Sequence, residues 1–531
     1  MRIDRVIIKN YRALPDVDVK LNREMNIIVG NNESGKSTFL EAIQLAMTGQ
    51  LYGRNAAHEL HPFLFNAPVV AVYLANLIAG KPEEPPVILI ELYLEDDPAL
   101  ATWKGKNNSQ GTDCPGIKFE VRLNESYRDL YHEYIKNPQE VRALPVDYFK
   151  VEWLGFNGEY LSPRNRPLRT TTVDASVMRN HSAAAGRFVL DIAEDSLTES
   201  DRVRLSLAYR GIRDQFLGDP RVKVINEALA KKKGAISDKQ ISISLDATAR
   251  SQWESAVLPH LNDIPITLVG KGEQNNLKIR LAIDAASQMN IILVEEPENH
   301  LSHGNLGKLV EAIKTSANGR QVIVTSHSSY VVNKLGIDST LLFTGSKFLR
   351  LSALSPDTVD FFMKLPGHDT LRMLLADKSI LVEGPSDELV VQKAYFDKHQ
   401  MLPLNAGVEV ISVRALAFKR FLEIAQKLTL NVVVVTDNDG NLGAVAAKYD
   451  GFKGAATLKI CYSTNAALPT LEPQLLDANG RDAINKMLGK TYGTDAELLA
   501  YMTANKTEAA LGIFSTKEPV KYPAYISDAV A

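Results

Sequence analysis

The sequence predicts an α/β chain that contains two parallel-sheet regions and a helical insertion. An apolar strand at 25–29 runs through a glycine loop into a helix at about 36–47, which begins one strand-loop-helix region. Strand and helix patterns alternate again over 379–436, which indicates a second parallel sheet. At about 176–233 the pattern is helical instead, and we expect an inserted helical module there.

The other elements follow from the same periodicities. In the first region, strands are predicted at 3–8, 86–94, 119–123, 241–245, 291–294 and 321–325. Turns are predicted at 107–111 and at Pro115 and Gly116, and a helix around Leu277, Leu281 and Ala285. The proline-containing stretch 355–370 is expected to be a connection. The second sheet is predicted to have strands at 379–382, 408–413 and 431–436 with helices at 388–398 and 418–428.

Length and composition favour an ordinary globular protein of several domains. At about 150 residues per domain, the 531 residues correspond to three or four domains. A hydrophobic content of 45% and a charged content of 23% exclude wholesale disorder and fibrous repeats. The 60 basic and 63 acidic residues give a net charge of -3, so a nucleic-acid partner would have to be held by a local basic surface or by metal ions.

Three features favour the reducing cytosol. The two cysteines, Cys114 and Cys461, are too few for a disulfide framework or a thiolate zinc site. The first ten residues lack the apolar core of a signal peptide. The longest apolar stretch, 67–80, is interrupted by Pro68 and Asn76 and is shorter than the ~20 residues that span a bilayer. We therefore expect a cytoplasmic protein with no membrane segment.

The first candidate site is the loop Gly30-Asn31-Asn32-Glu33-Ser34-Gly35-Lys36-Ser37, which fits G-x-x-x-x-G-K-[ST] between a strand and a helix. Glycines let backbone amides surround a phosphate, and the helix N-terminus favours its negative charge. Lys36 would reach the terminal phosphates, and Ser37 would hold magnesium. The loop predicts a nucleotide site, whose candidate ligands are Asn31, Asn32, Gly35, Lys36, Ser37 and Thr38.

A second motif, Ile291-Ile292-Leu293-Val294-Glu295-Glu296-Pro297, delivers two acids at the end of a buried strand, where parallel sheets bind ligands. Glu295 would hold magnesium, and Glu296 would orient and deprotonate the attacking water. The alternative is one core-facing glutamate and one surface charge. Because a buried unpaired glutamate is costly, we favour the functional interpretation.

Two further motifs have the order found in ABC-type ATPases. Gly270-Lys271-Gly272-Glu273-Gln274 begins a predicted helix, and Thr325-Ser326-His327 follows a predicted strand. The chain thus resembles ATPases of the ABC and SMC type. The resemblance implies ATP as a cofactor, a homodimer or higher even oligomer, a catalytic His327, and contacts to the nucleotide of a second subunit from Gly270, Lys271, Gly272 and Gln274. The usual signature is L-S-G-G-Q, and here Lys271 replaces the serine and Glu273 replaces the second glycine, which puts the rate of hydrolysis in doubt.

A second group of acids lies in the final third of the chain. One predicted strand ends in Glu383-Gly384-Pro385-Ser386-Asp387, and another leads into Asp437-Asn438-Asp439-Gly440. Strand alternation predicts that the carboxylates of Asp437 and Asp439 share one side of the strand end. Four oxygen donors in one pocket suit Mg²⁺ or Mn²⁺, and two such ions grip a scissile phosphate in two-metal sites. The arrangement resembles the Toprim domain.

The tail extends the resemblance, because segment 468–476 supplies Glu472 and segment 505–511 supplies Lys506 at a helix start. All the motifs together resemble the OLD (overcoming lysogenization defect) family of ATP-regulated nucleases, in which an ABC-type ATPase precedes a Toprim nuclease. The resemblance implies that Lys506 stabilises charge on the cleaved phosphate. It also implies a metal-binding set of Glu383, Asp387, Asp437, Asp439 and Glu472. Some relatives have a glycine pair where this chain has Arg414-Ala415-Leu416, which puts substrate positioning there in doubt.

The implied fold class is an ABC/SMC-like ATPase with an inserted helical module, followed by a Toprim parallel-sheet domain. The expected domains are the N-terminal ATPase part (1–165), the helical insert and dimerisation module (166–240), the C-terminal ATPase part (241–360), a linker (361–374) and the Toprim nuclease with a helical C-terminal part (375–531). Arg164, Arg166, Arg169 and the lysines at 231–233 are candidate DNA contacts, with a solvated charged face as the alternative.

The resulting hypothesis is an ATP-regulated, divalent-metal-dependent DNA endonuclease or nickase in anti-phage defence. Its partners would be DNA and, in some systems, a helicase-like protein or retron components. The alternative is an SMC-like DNA-repair ATPase without nuclease activity, but the roughly 230 residues between the two nucleotide motifs contain no sustained heptads. A topoisomerase or a primase would share the Toprim acids without the ABC motifs, and a transporter motor would lack the acidic domain.

Overall fold

The computed structural model describes the chain except residues 32–33, 82, 164, 175–197, 232–242, 244–259, 271–272, 274–276, 278–288, 300–301, 344–347, 352–353, 368 and 414–416. The described residues form two compact units. Unit 1 comprises Met1–Pro167 and Ile323–Ala531, and unit 2 comprises Leu168–Val322. Four predicted nucleotide ligands, Asn32, Lys271, Gly272 and Gln274, lie outside the described residues. The five domain limits proposed above stay a prediction.

The N-terminal part of unit 1 is built around an antiparallel sheet with the strand order β2-β1-β6-β8, in which β7 and β9 also pair with β8. Its elements are β1 (Ile3–Tyr11), β2 (Leu14–Lys20), β3 (Met25–Val29), α1 (Lys36–Thr48), β4 (Gln50–Leu51), β5 (Arg54–Asn55), α2 (Ala67–Ile78), β6 (Ile88–Leu94), β7 (Lys104–Gly105), β8 (Cys114–Leu123), α3 (Arg128–Tyr134) and β9 (Phe149–Gly155). The predicted strand and helix of the nucleotide motif are confirmed as β3 and α1, with the described loop residues 30–31 and 34–35 between them.

One predicted turn in this region is wrong. Pro115 and Gly116 lie inside β8 rather than between strands. A Cβ on Gly116 would approach Cε2 of Phe156 to 2.1 Å. The glycine therefore permits close packing of an aromatic ring on the sheet, a role that the sequence alone does not distinguish from a turn.

Unit 2 contains β10 (Thr170–Asp174), α4 (Glu199–Gly218), α5 (Pro220–Ala230), β11 (His260–Leu261), β12 (Ile264–Pro265), β13 (Ile291–Glu295) and α6 (His303–Ser316). Strands β10 and β13 pair in parallel. Helices α4 and α5 confirm the helical pattern predicted at about 176–233 in its described part, and Thr198 begins α4 with a capping box, whereas residues 170–174 at the start of the expected insert form strand β10. Two predictions fall outside the described residues. They are the strand at 241–245, of which only Ile243 is described, and the helix positions Leu281 and Ala285.

The chain continues with β14 (Gln321–Thr325), α7 (Ser329–Leu335), β15 (Thr340–Phe343), β16 (Phe348–Arg350), α8 (Pro356–Lys364) and α9 (Thr370–Leu375). Strand β15 pairs with β3 in parallel and with β16 in antiparallel orientation. The connection predicted at 355–370 is wrong where α8 lies. Ser355 caps this helix by accepting the Thr358 N–H, and Pro356 occupies the first turn, where a missing N–H costs nothing.

The last part of unit 1 is a four-stranded parallel sheet with the order β18-β17-β19-β20. Its elements are β17 (Lys378–Val382), α10 (Pro385–His399), β18 (Val408–Ser412), α11 (Phe418–Leu428), β19 (Val432–Val435), α12 (Leu442–Lys448), β20 (Leu458–Cys461), α13 (Leu471–Asn479), α14 (Arg481–Leu488), α15 (Asp495–Ala504), α16 (Lys506–Ser515) and α17 (Ala524–Ala529). The predicted second parallel sheet is confirmed.

Alternate residues of the central strands, among them Ile380, Val382, Val433 and Val435, pack in one core with α10 and the C-terminal helices. Because β17 and β19 are neighbours in a parallel sheet, their carboxyl ends lie side by side. Residues that follow these two strands are therefore brought together although more than fifty positions separate them in the chain.

Candidate metal centre and nucleotide loop

The central contact of the acidic site joins Glu383, directly after β17, to the residues that follow β19. Oε1 of Glu383 accepts a hydrogen bond from the Thr436 hydroxyl at 2.5 Å and another from the Asp437 backbone N–H at 3.0 Å. Thr436 is only 3% exposed. Two donors thus hold one carboxylate oxygen at the sheet edge, where ligands of parallel sheets bind.

The loop after β19 is shaped by Asn438, which sequence reasoning missed. Its buried amide donates to the carbonyls of Ser463, Asn465 and Leu468 at 3.0, 2.9 and 3.2 Å, and its Oδ1 accepts the Gly440 N–H at 2.8 Å. A short polar side chain between two aspartates gave no sequence signal beyond a general preference for turns. Asn438 connects the loop that carries Asp437 to the loop that precedes α13.

The strand-alternation argument for Asp437 and Asp439 is wrong, because β19 ends at Val435. Asp439 has a left-handed backbone, with φ of 47°, and its N–H donates to the Pro469 carbonyl at 3.1 Å. Its side chain is exposed, whereas Asp437 is partly buried. A turn rather than a strand therefore sets the direction of each carboxylate.

Three more predicted residues reach the same region from helices. Asp387 lies in the first turn of α10 and accepts the Gly384 N–H at 3.2 Å. Glu472, in the first turn of α13, is buried and accepts the Thr470 hydroxyl at 2.8 Å. Lys506, the first residue of α16, lies 3.3 Å from Glu472. A lysine beside a buried carboxylate offsets part of its charge.

The carboxylates act on one another electrostatically. Burial, together with the Glu383 and Glu472 charges, raises the pKa of Asp387 to about 7. Burial and the charges of Asp387, Glu383 and Glu472 raise the pKa of Asp437 to about 8. The Lys506 ammonium lowers this pKa, but by less than the other effects raise it. The same four acids and burial raise the pKa of Tyr525, a residue of α17 that the sequence did not indicate. These shifts show a cluster with more negative charge than the surrounding side chains offset.

The donor set fits a hard divalent cation. Oδ1 of Asp437 is buried and has no hydrogen-bond partner among the described residues. Carboxylate oxygens are the preferred ligands of Mg²⁺ and Mn²⁺, and a cation would supply the missing positive charge. As the side chains stand, no three His, Cys, Asp or Glu residues of the described chain complete a metal-binding geometry, so the carboxylates would have to turn toward an ion.

The described part of the glycine loop in unit 1 places Lys36 at its centre. Lys36 is 6% exposed, and its Nζ donates to the carbonyls of Gly30 and Asn31 at 2.8 and 2.9 Å. Gly35 begins α1 with φ of 100°, a backbone conformation that favours glycine. Ser37 and Asn31 are exposed, and Thr38 is partly exposed. The lysine thus occupies the loop centre with its ammonium on backbone carbonyls that a phosphate would replace.

The remaining nucleotide motifs belong to different units of the chain. In unit 1, the Ser326 N–H donates to the Ile28 carbonyl of β3 at 3.1 Å, and the exposed His327 follows it. In unit 2, Glu295 ends β13, and Glu296 has a left-handed backbone and accepts the Asn299 amide at 2.7 Å. Gly270 is exposed in unit 2.

Of the candidate DNA contacts, Arg166 donates to the Met47 carbonyl at 3.3 Å, while Arg169 and Lys231 are exposed. Arg164 and the lysines at 232 and 233 lie outside the described residues. No helix in the described part of the chain is both long and apolar enough to cross a bilayer.

Fold and site order together define an AAA-type ATPase joined to a C-terminal Toprim domain. Family models agree with this order: an AAA ATPase domain matches residues 1–69, an AAA domain matches 161–333, and the Toprim domain of overcoming-lysogenization-defect-like proteins matches 374–439. The predicted OLD-family architecture and the predicted α/β fold class are confirmed.

Several known proteins are similar to this chain. Endonuclease GajA of Bacillus cereus (strain VD045) is 19% identical over 469 residues, which cover 83% of this chain and 75% of that protein. The DNA replication and repair protein RecF of Halothermothrix orenii is 39% identical over 76 residues, or 14% of this chain and 20% of that protein. RecF of Acetivibrio thermocellus is 37% identical over 60 residues, or 11% and 16%. The chain thus spans a fifth or less of the length of these RecF relatives.

Two solved structures are similar to the chain at low TM-scores. The SMC head bound to the C-terminal winged-helix domain of ScpA is 15% identical, with a TM-score of 0.34, and the match covers 66% of this chain and 98% of that one. The ATP complex of RecF is 11% identical, with a TM-score of 0.32, and the match covers 66% and 99%.

Proposed function

We propose that this protein is an ATP-binding DNA endonuclease or nickase whose Toprim site depends on divalent metal ions and is regulated by the ATPase. The observation that carries the proposal is the meeting of Glu383, Asp387, Asp437 and Glu472 at one end of the parallel sheet, with more negative charge than nearby cations offset. Such a charge excess costs stability, and a site that binds metal and phosphate accounts for it.

Each residue of the cluster has a role that follows from its position. Glu383 and Asp437, at the ends of adjacent strands, would hold Mg²⁺ or Mn²⁺, with Asp387 and Glu472 completing the set and the exposed Asp439 able to join it. The bound metal would activate water and stabilise the leaving oxygen of a phosphodiester. The Lys506 side chain contacts Glu472 and is 47% exposed to solvent. Its ammonium could therefore also contact a phosphate that enters the site.

The ATPase half would bind ATP at the glycine loop through Lys36 and Ser37, with Glu295, Glu296 and His327 as the residues of hydrolysis. Closure of the signature loop over the nucleotide of a second subunit makes a homodimer or higher even oligomer the expected assembly. The cytoplasmic location, the role in anti-phage defence and a helicase-like or retron partner are proposed on the OLD-family resemblance.

The direct test is cleavage of supercoiled plasmid with Mg²⁺ or Mn²⁺, with and without ATP. Glu383→Gln and Asp387→Asn should lower cleavage at least about a hundredfold, because each removes a metal-binding charge while keeping the shape of the side chain. Chelation with EDTA should abolish cleavage by the parent chain.

Glu388→Gln is the matched control. Glu388 is the next residue on α10, and it hydrogen-bonds to Gln392 rather than to the acidic cluster. Its substitution should leave cleavage unchanged. Equal cutting by Glu383→Gln and the parent chain would refute the nuclease assignment and favour an SMC-like DNA-repair ATPase.

A further inference from the structure

A buried side chain behind the acidic cluster holds one of its carboxylates. Thr436 is the first residue after β19, and its hydroxyl donates to Oε1 of Glu383 at 2.5 Å. A hydrogen bond to an ionised acceptor is about twice as strong as a neutral one. Since Thr is β-branched and stiff about χ1, it presents this donor with little loss of side-chain freedom.

The same oxygen of Glu383 also accepts the Asp437 N–H at 3.0 Å. Two donors on Oε1 fix the plane of the carboxylate and turn Oε2 away from them. Among the described residues, Oε2 accepts no hydrogen bond. A carboxylate held in this way presents a single free oxygen to a cation.

A third residue, Tyr449, lies near Thr436 and Glu383. Tyr449 follows α12, is 2% exposed, and its ring packs edge-on against Phe418 with centroids 6.3 Å apart. Burial raises the pKa of its hydroxyl to about 12 and the nearby Thr436 lowers it in part, although the hydroxyl is buried with no hydrogen bond of normal geometry among the described residues. Most buried polar groups have a hydrogen-bond partner, so a buried hydroxyl without one needs a structural reason.

We propose that Thr436 is a positioning residue that holds Glu383 for divalent-metal binding, and that the Tyr449 hydroxyl supports Thr436 from behind. The inference rests on the proposed metal-dependent function. The hydroxyl of Thr436 gives its only proton to Glu383, so its lone pairs are left to accept a hydrogen bond from Tyr449. Partners of metal ligands set the orientation of those ligands, and their loss costs about 10- to 100-fold in metal affinity.

The test is calorimetric titration of the full chain with Mn²⁺ alone, without DNA or nucleotide. Thr436→Val keeps the shape of the side chain and removes the hydroxyl, and it should weaken Mn²⁺ binding at least about tenfold. Thr436→Ser restores the donor and should recover most of the affinity. Tyr449→Phe should weaken binding in the same direction and by less.

Thr340→Val is the control, because Thr340 is also buried and its hydroxyl has no partner among the described residues, but it lies in β15 outside the acidic cluster. Melting temperatures in EDTA show whether each variant is folded.

Parent-like Mn²⁺ affinity in Thr436→Val overturns the inference while leaving the proposed function standing. If Thr436→Val fails to fold, the Mn²⁺ affinities of Thr436→Ser and Tyr449→Phe decide. The inference is overturned if Tyr449→Phe binds Mn²⁺ like the parent chain while Thr436→Ser binds it more weakly. A parent chain that binds no Mn²⁺ refutes the metal dependence itself.

Discussion

Replacing Asp437 with asparagine should stabilise the protein when no divalent cation is present. Burial and three neighbouring carboxylates raise the pKa of Asp437 from 3.8 to about 8. The folded state therefore holds a proton that the unfolded state releases, so stability falls as the pH rises from about 4 to 8. At 1.4 kcal/mol for each pKa unit, the limit at pH 8 is roughly 5 kcal/mol.

Partial exposure and relaxation of the side chain reduce that limit, and we expect a gain of ~1–3 kcal/mol from Asp437→Asn at pH 8. Since 1 kcal/mol corresponds to about 2–4 °C for a domain of 150–250 residues, the melting transition of the Toprim part should rise by several degrees. The gain should shrink as the pH falls toward 4, because the aspartate of the unfolded chain, with its ordinary pKa of 3.8, then begins to bind a proton as well.

The assay is differential scanning calorimetry of the full chain in EDTA at several pH values between 4 and 8. Asp450→Asn serves as the control, because Asp450 is exposed and paired with Lys453, and it should give no gain. Mn²⁺ should raise the melting temperature of the parent more than that of Asp437→Asn. A melting temperature for Asp437→Asn at or below that of the parent at pH 8 in EDTA would refute the charge-excess argument.

Three further substitutions test other parts of the structure. Lys36→Ala should weaken ATP binding at least about tenfold in a fluorescent-nucleotide titration, because it removes the only ammonium within the described glycine loop; unchanged affinity contradicts the nucleotide assignment. Asn438→Asp should cost ~3 kcal/mol by placing oxygen against three carbonyls, whereas Asn441→Asp, which keeps a helix cap, should be nearly neutral by thermal melting. Glu423→Gln should cost ~1–2 kcal/mol at pH 7 and less below pH 4, because hydrogen bonds from Thr358 and Ser355 outweigh burial and lower the pKa of Glu423; an equal loss at both pH values contradicts this.

Much of the fold was readable from local patterns. The helix predicted at 418–428 is confirmed with the same limits as α11, because its apolar residues recur at helical spacing between polar ones. Strand β14 was predicted equally well from a short apolar run. Errors arose where a glycine or proline has more than one structural use, as at Gly116 in β8 and Pro356 in α8.

In the candidate site, the acidic residues were predicted from the sequence but the residues that hold them in place were not. Glu383, Asp387 and Asp437 were predicted from residue type and motif order, and Glu472 from the OLD-family resemblance; the structure places all four close enough for their charges to interact. Their supporting residues were not identified. Asn438 and Thr436 are common polar residues, and what distinguishes them is the set of atoms they contact.

The sequence by itself determined most of the element types, the motifs and the chemical groups available for binding nucleotide and metal, because periodicity and residue chemistry are local properties of the chain. Only the tertiary structure decided which oxygen of Glu383 is held, how the backbone turns at Asp439, and that Tyr525 and Tyr449 lie near the acids. The physical reason is that charge coupling and hydrogen bonding act over a few ångströms in space. Distances of that size between residues far apart in sequence are set by strand order and helix packing.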